Sequence, residues 1–212
     1  MIEKWKEFFR WKYSVIYAAS TLIILVAFLV SFSKFLIFVE ARSGAVLPDP
    51  VFNWFNAVEL NPVIFGLIYG SMLTCFIYLM INYPVRLIMA LQTYSLLLLV
   101  RFVMMYVTPL DPPVGTIDLE DPLIFVVGTG TKITKDLFFS GHTSTMFMLA
   151  MLTVNKKLKT VFIVNTFVVA SFVILQKVHY TIDVLVAPFI SYTVYRIIML
   201  LNTKVFCKGK TI

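Results

Sequence analysis

The sequence predicts an all-α integral membrane protein, a bundle of six transmembrane helices. Of its 212 residues, 60% are hydrophobic and only 14% are charged, and the mean hydropathy is +0.91. A typical soluble domain is about half apolar and a quarter charged, so much of this chain must face lipid. Six apolar segments approach the roughly 20 residues that one helix needs to cross a bilayer core. They cover residues 13–39, 62–81, 84–107, 137–154, 160–176 and 180–201.

The six segments use most of the chain and leave no room for a soluble domain. The first is too long for a secretory signal peptide and lacks an obvious small-residue cleavage site. We therefore expect one membrane-embedded domain over residues 1–212, with its polar motifs between about 84 and 201.

Two further observations limit the function classes. Cys75 and Cys207 have no metal-ligating spacing, so no metal and no cofactor are predicted. The net charge of +7 could suggest nucleic acid, but the basic residues lie beside the spans, as expected for a membrane protein. No nucleic-acid partner is predicted, and the oligomeric state is left open.

The basic residues also predict the orientation. They cluster before the first span, after the second, after the fourth and behind the sixth, and six spans put these places on one side of the membrane. The residues are Lys4, Lys6, Arg10, Lys12, Arg86, Lys156, Lys157, Lys159, Lys204, Lys208 and Lys210. Cytoplasmic loops are enriched in Lys and Arg, so both termini are predicted to be cytoplasmic. The loops near 40–61 and 108–136, and both histidines, then lie on the opposite face.

The N-terminal stretch "MIEKWKEFFRWKY" alternates aromatic and charged residues. This pattern fits a helix lying in the membrane interface before the chain enters the bilayer. Simple anchoring by a belt of aromatic residues is the alternative.

The stretch "DLFFSGHTSTMF" begins the fourth apolar segment and holds one of only two histidines. Ser140 suits a helix N-cap, and the first N–H groups of a helix, with its dipole, favour an anion such as phosphate. Gly141 would let a ligand approach the backbone closely, and His142 would stand beside it. Taken alone, the stretch is more typical of an ordinary serine-capped helix with an interfacial histidine.

The second histidine occurs in "KVHYTIDVLVA", where His179 and Asp183 are spaced i, i+4. On a helix such side chains share one face. The carboxylate can then fix the imidazole tautomer and leave the other ring nitrogen free to attack or to carry a proton. An unpaired carboxylate inside a span is costly, which favours a functional role for Asp183. The alternative is an aspartate satisfied by Thr181, Tyr180 or a neighbouring helix.

The two motifs indicate more together than separately, because two helix starts on one membrane face can bring both imidazoles to one phosphoryl group. One histidine would attack phosphorus and the other would protonate the leaving oxygen. Arg101, near the same end of the third span, can bind phosphate oxygens or simply extend to the interface. A transporter would place its ionisable groups near the bilayer midplane, where this sequence is nearly all apolar, and an inactive scaffold gives no reason for the cluster.

Three stretches resemble the sphingomyelin synthase family, within the wider phosphatidic acid phosphatase type 2 superfamily. They are "VRFVMMYVTPLDPPVG", "KDLFFSGHTSTM", with Asp136 in the aspartate position of the family motif, and "HYTIDVLVA". The resemblance runs from the third span to the sixth, roughly half of the chain. The family's six-span fold and outward-facing site agree with the topology inferred above.

The resemblance implies a role for each matching residue. His179 would be the nucleophile, Asp183 its orienting partner and His142 the acid or base toward the leaving group. Arg101, Asp136 and Ser140 would shape the phosphate site, with Gly141 beside them. The implied reaction moves a phosphoalcohol from a membrane phospholipid donor to ceramide or another lipid alcohol.

The sequence departs from the phosphatase side of the superfamily. That pattern has an arginine six residues before the second histidine, and Val173 occupies the position here. The phosphatase pattern is thus incomplete, and the matches at "HYTIDV" and "MYVT" favour the synthase. A lipid phosphate phosphatase or phospholipase C-like hydrolase using the same residues is the alternative, and the head group and acceptor stay open.

Overall fold

The computed structural model describes residues 2–119 and 132–207, with side chains as far as Thr203. Over these ranges the fold is all-helical, with seven α-helices and one short 3₁₀ helix at Pro50–Trp54. The α-helices are α1 Ile2–Phe9, α2 Ser14–Glu40, α3 Asn61–Asn82, α4 Pro84–Val107, α5 Gly141–Leu152, α6 Lys156–Leu175 and α7 Thr181–Cys207. Lys208 and Lys210, placed in a cytoplasmic tail by the sequence, lie outside the described residues.

Five of these helices are long and apolar enough to cross a membrane. They are α2, α3, α4, α6 and the Thr181–Thr203 part of α7. Only 22% to 44% of the residues in each apolar stretch are buried inside the molecule, so the remainder lie fully or partly at its surface. A multi-pass membrane protein explains this exposed apolar surface, because lipid tails would cover it.

The count of six spans is not confirmed, because the fourth predicted segment, 137–154, forms a shorter helix. Helix α5 has 12 residues, which at 1.5 Å per residue extend about 18 Å against a bilayer core of about 30 Å. Ser140 caps its start, and Thr153 is extended directly after its end. Hydropathy alone could not show these boundaries, since the flanking residues are apolar without being helical.

Helix α5 lies inside the bundle and contacts α3, α4, α6 and α7. Nine of its 12 residues are buried, and its Met146 and Leu149 pack in the main apolar core with Ile64 and Val169. A buried helix is apolar all round because protein covers every face. This explains why the sequence of α5 resembles that of a span.

Although it is short, α5 still runs from one end of the bundle toward the other, in the direction that the sequence predicted for the fourth segment. At one end of α5, Gly141 lies against Arg101 of α4. At its other end, the carbonyl of Leu152 accepts a hydrogen bond from Arg86 of α4 at 3.2 Å. We call the end formed by Val107, Gly141, Leu175 and Thr181 the site end, and the opposite end the basic end.

Two connections lie at the site end and are fixed to the bundle: 41–60, and the described parts of the next one, 108–119 and 132–140. The Glu40 carboxylate at the end of α2 accepts hydrogen bonds from the backbone N–H groups of Thr134 and Lys135 at 2.8 and 3.0 Å. The buried hydroxyl of Tyr180 donates to the Asp111 carbonyl at 2.8 Å and accepts from Leu47 N–H at 3.1 Å. Both connections are therefore held beside the start of α7.

Candidate active site

The two histidines meet at the site end, as the sequence predicted for two helix starts on one face. His142 Nδ1 lies 3.3 Å from His179 Nε2, which is hydrogen-bonding distance. His179 is fully buried and His142 is half-buried. The rings meet edge to face with centroids 5.6 Å apart, and Phe65 of α3 packs against His142.

Asp183 is the partner of His179, but the expectation that both lie on one helical face is wrong. Helix α7 begins at Thr181, so His179 precedes the helix. Asp183 Oδ2 instead accepts a hydrogen bond from Tyr180 N–H at 3.2 Å, as an acidic residue in the first turn does when it caps a helix start. That turn places Asp183 Oδ2 3.6 Å from His179 Nδ1, with both side chains fully buried.

The sequence offered two alternatives for Asp183: a partner of the His179 imidazole, or a carboxylate satisfied by a neighbour such as Tyr180. The structure shows both contacts on one carboxylate. Its Oδ2 caps the backbone and faces the imidazole. The 3.6 Å separation is longer than a hydrogen bond. Within the described residues, His179 Nδ1 and Asp183 Oδ1 are buried atoms without a hydrogen-bond partner. Since the nearest carboxylate faces Nδ1, the arrangement leaves Nε2 of His179 as the ring nitrogen directed toward His142.

Ser140 starts α5 as predicted. Its Oγ accepts a hydrogen bond from Thr143 N–H at 3.3 Å. The backbone N–H of Ser140 also donates to the carbonyl of Asp183 at 3.2 Å. This bond joins the starts of α5 and α7 and explains how two motifs about 40 residues apart hold their histidines in register.

Arg101 and Asp136 complete the cluster as an ion pair. The guanidinium lies directly against Gly141, where an added Cβ would come within 1.9 Å of its Nη1 atom. Arg101 is 8% exposed, and its Nε has no hydrogen-bond partner within the described residues. It therefore lies in the site rather than extending to the interface.

The electrostatics of Asp136 follow from this pairing. Burial would raise the pKa of the carboxyl, but the Arg101 guanidinium and the two histidines outweigh burial and lower the pKa below its usual range. Asp136 is therefore a carboxylate at neutral pH. It holds the guanidinium beside the start of α5, where the helix dipole is positive.

Three further residues position the site, and the sequence reasoning did not single them out for it. Asp49 accepts hydrogen bonds from the N–H of Thr181 at 2.7 Å and from its hydroxyl at 3.1 Å, which caps α7. Tyr180 fixes both connections, as described above, and the buried Gln176 accepts from Leu60 N–H at 3.1 Å. No sequence signal links Asp49 to Thr181, because the two are 132 residues apart.

The lysines beside the motifs have other partners. Lys135 forms an ion pair with Asp111 at 2.8 Å, and its hydrogen bond lowers the pKa of the Asp111 carboxyl. Lys177 donates to the Phe52 carbonyl at 3.1 Å. Among the cations singled out from the sequence, Arg101 is therefore the one that the fold places at the start of α5, against the residue before His142.

The fold and the cluster define a multi-pass helical membrane protein with two histidines, two carboxylates and an arginine at one end of the bundle. Residues 135–200 match the family model described as PAP2 superfamily C-terminal. This segment, less than half of the chain, is therefore similar to the C-terminal part of the PAP2 superfamily. No curated protein gives a significant match. Arg101 and Asp49 lie outside the matched segment but belong to the cluster by their contacts.

Proposed function

We propose that this protein is a lipid phospho-head-group transferase that moves a phosphoalcohol from a glycerophospholipid to ceramide or another lipid alcohol. The observation that carries the proposal is the 3.3 Å approach of His142 Nδ1 to His179 Nε2, beside an arginine held by a carboxylate. One imidazole can act as nucleophile and the other as acid and base. The sequence resemblance to sphingomyelin synthases supports transfer as the outcome.

In the first half-reaction, His179 Nε2 attacks the phosphorus of the donor lipid. The bond between phosphorus and the glycerol oxygen breaks, and that oxygen takes a proton from His142, so diacylglycerol leaves. The phosphoalcohol stays on His179 through a P–N bond and keeps its single P–O–C ester bond. Asp183, beside Nδ1, stabilises the positive charge that the ring acquires.

In the second half-reaction, His142 accepts the proton of the acceptor hydroxyl. The acceptor oxygen attacks phosphorus, the P–N bond breaks, and His179 is regenerated with the electron pair on Nε2. Because the two rings are only 3.3 Å apart, they must separate when a phosphoryl group lies between them. We expect His142 to move, since it is half-buried whereas His179 is fully buried.

The phosphate oxygens would be held by Arg101 and by the start of α5. The guanidinium has a buried Nε without a hydrogen-bond partner in the described part of the chain, and charge-assisted bonds to phosphate are strong. The start of α7 is less suited to an anion, because the carboxylates of Asp49 and Asp183 already accept from Thr181 and Tyr180. The phosphate therefore binds on the α5 side.

The hydrolase alternative uses the same residues, with water in place of the acceptor alcohol. Val173 stands where the phosphatase pattern has an arginine, which supports transfer over hydrolysis. Only the acceptor differs between the two reactions, so identifying the products distinguishes a transferase from a hydrolase.

The proposal includes an orientation. The basic residues at α1 and at the starts of α4 and α6 favour a cytoplasmic basic end. The site end would then face the periplasm, the lumen or the exterior, where a lipid of the outer leaflet can enter laterally.

The test is to incubate the purified protein in vesicles containing ceramide and a mixed phospholipid pool and to identify the lipid products by mass spectrometry. We expect a ceramide phosphoalcohol and an equal amount of diacylglycerol. His179→Ala should abolish both, and His142→Gln should lower both by about 100-fold or more, as for loss of a general acid–base. Asn165→Ala is the control, because Asn165 binds Ser71 between α3 and α6, away from the cluster.

The outcomes separate the two activities. Diacylglycerol and free phosphoalcohol without the ceramide product would establish the hydrolase. A ceramide product that survives in His179→Ala would overturn the assignment of the nucleophile.

A further inference from the structure

A groove of about 860 Å³ lies at the basic end, between α1 and the last turn of α3. Helix α1 is fixed there by two bonds: Trp5 Nε1 donates to the Met80 carbonyl at 2.8 Å, and Lys4 Nζ to the Asn82 carbonyl at 2.9 Å. Phe8 is buried beneath the helix. The groove is lined by Ile2, Trp5, Lys6, Phe9, Arg10 and Met80.

The groove has an apolar floor and a cationic edge. Ile2, Trp5 and Phe9 are spaced i, i+3 and i+7, so they form one stripe along α1. Ile2 is 64% exposed and Phe9 49% exposed, so the stripe is available to a ligand. Lys6 and Arg10 are spaced i, i+4 and stand together along the edge of this stripe.

The charges at this edge are available to an anion. Lys6 lies 3.8 Å from Glu3, but both side chains are mostly exposed, at 67% and 91%, and such surface pairs contribute little. From Ile2 to Lys12 the chain carries four basic residues and two acidic ones, a net charge of +2. The face is therefore complementary to a negatively charged ligand with an apolar portion.

We propose that this groove binds one anionic phospholipid, with an acyl chain along Ile2, Trp5 and Phe9 and the phosphate against Lys6 and Arg10. The ends of the apolar helices α3 and α4 meet here, at Asn82 and Pro84, so the groove lies at the depth of the lipid head groups. The acyl chain of one lipid can then lie on the apolar floor while its phosphate reaches the basic edge. The proposal does not depend on the reaction at the site end, and the groove and the histidines lie at opposite ends of the bundle.

The test measures lipid retention by the full-length protein. The protein is purified from vesicles containing equal amounts of an anionic and a zwitterionic phospholipid with identical chains, and retained lipids are counted by native mass spectrometry. Each basic residue near an anionic surface changes affinity about fivefold. We therefore expect Lys6→Gln combined with Arg10→Gln to lower retention of the anionic lipid by about 25-fold.

The matched control is Lys156→Gln combined with Lys157→Gln, which removes the same charge from exposed positions at the same end. It should change retention by less than about twofold if the site is local. An equal loss in both double variants would show a general attraction to the surface and overturn the proposal, as would no loss in either.

A third variant tests the apolar floor. Ile2→Gln keeps every charge and alters a residue that is 64% exposed, so the fold is preserved, which circular dichroism checks. We expect weaker retention of the intact lipid. Unchanged retention, or equal competition by the soluble head group without chains, would show that the groove does not hold a lipid chain.

Discussion

At Gly141 the missing side chain leaves room for Arg101. An added Cβ would lie 1.9 Å from Nη1 and 2.4 Å from Cζ of the guanidinium, well inside van der Waals contact. The sequence suggested that Gly141 admits a ligand to the backbone. The structure shows that it admits the arginine of the protein itself, which then stands at the start of α5.

We expect Gly141→Ala to displace Arg101 and to lower the rate of the proposed reaction by about 100-fold, since misplacement by about 1 Å can cost this much. Gly66→Ala in α3 is the control, because nothing lies within 4 Å of its added Cβ. Product formation by both variants in vesicles measures the effect. Wild-type activity in Gly141→Ala would show that the arginine need not occupy this position.

Asp136 allows a prediction about pH. Its lowered pKa means that the ion pair contributes stability above the ordinary aspartate pKa of about 3.9 and loses it as the pH falls through the folded-state pKa. Asp136→Asn leaves Arg101 without its charge partner, which costs on the order of 3 kcal/mol for a buried pair. We expect its apparent melting temperature to lie below that of the wild type by a constant amount from pH 8 to pH 5. The difference should narrow only below about pH 4, and narrowing already at pH 6 would contradict the lowered pKa.

At the scale of helices, the start of α7 depends on a residue from the first connection. Asp49 accepts two hydrogen bonds from Thr181 and also one from Val51 N–H at 3.1 Å, so it caps both α7 and the 3₁₀ helix. His179 lies two residues before Thr181. Because Asp49 holds the first residue of α7, it also fixes the position of the His179 imidazole just before the helix.

Asp49→Ala should remove this cap, at a cost of about 1–2 kcal/mol, and lower product formation by roughly tenfold through misplaced His179. Asp49→Asn retains one carboxamide oxygen as acceptor and should recover part of the activity. Thermal unfolding and product formation are measured on the same samples.

Asn155→Ala is the matched control for this cap. Asn155 caps α6 by accepting from Leu158 N–H at 3.1 Å, but it does so at the basic end. It should lose comparable stability and keep its activity. If the two variants lose activity equally, the effect of Asp49 is on stability alone.

At the scale of the whole molecule, the ionisable clusters lie at the two ends of the bundle. The site end holds the His142–His179 pair and the Arg101–Asp136 pair. The basic end holds Lys4 and the start of α6. This separation underlies the proposed orientation.

Cysteine labelling tests that orientation in sealed cells or vesicles. Asn56→Cys places a thiol on an exposed position at the site end, and Lys157→Cys places one at the basic end. Native Cys75 is buried and can stay, whereas Cys207 is replaced by serine. A membrane-impermeant maleimide added outside should label Asn56→Cys alone, and Lys157→Cys only after permeabilisation. The reverse pattern would place the site in the cytoplasm.

The sequence alone was sufficient for the all-helical class and for most helix positions, because long apolar runs between basic turns leave few other structures. It also predicted that His142 and His179 can meet, because both motifs lie where apolar segments begin on the same face of the membrane. It was wrong about the helical face shared by His179 and Asp183. With Asp183 capping Tyr180 N–H, the helix begins at Thr181, two residues after His179, and residue spacing cannot distinguish a turn from a helix.

By itself, then, the sequence determined the membrane class and the helices α2, α3, α4, α6 and α7. It also identified most members of the cluster, which are Arg101, Asp136, His142, His179 and Asp183. Only the tertiary structure decided that α5 is a short buried helix, that Gly141 faces Arg101, and that Asp49 caps α7. The physical reason is that hydropathy and spacing are local properties of the chain. Whether an apolar helix contacts lipid or protein, and which distant carboxylate reaches a helix start, depend on contacts between separate segments, 132 residues apart for Asp49 and Thr181.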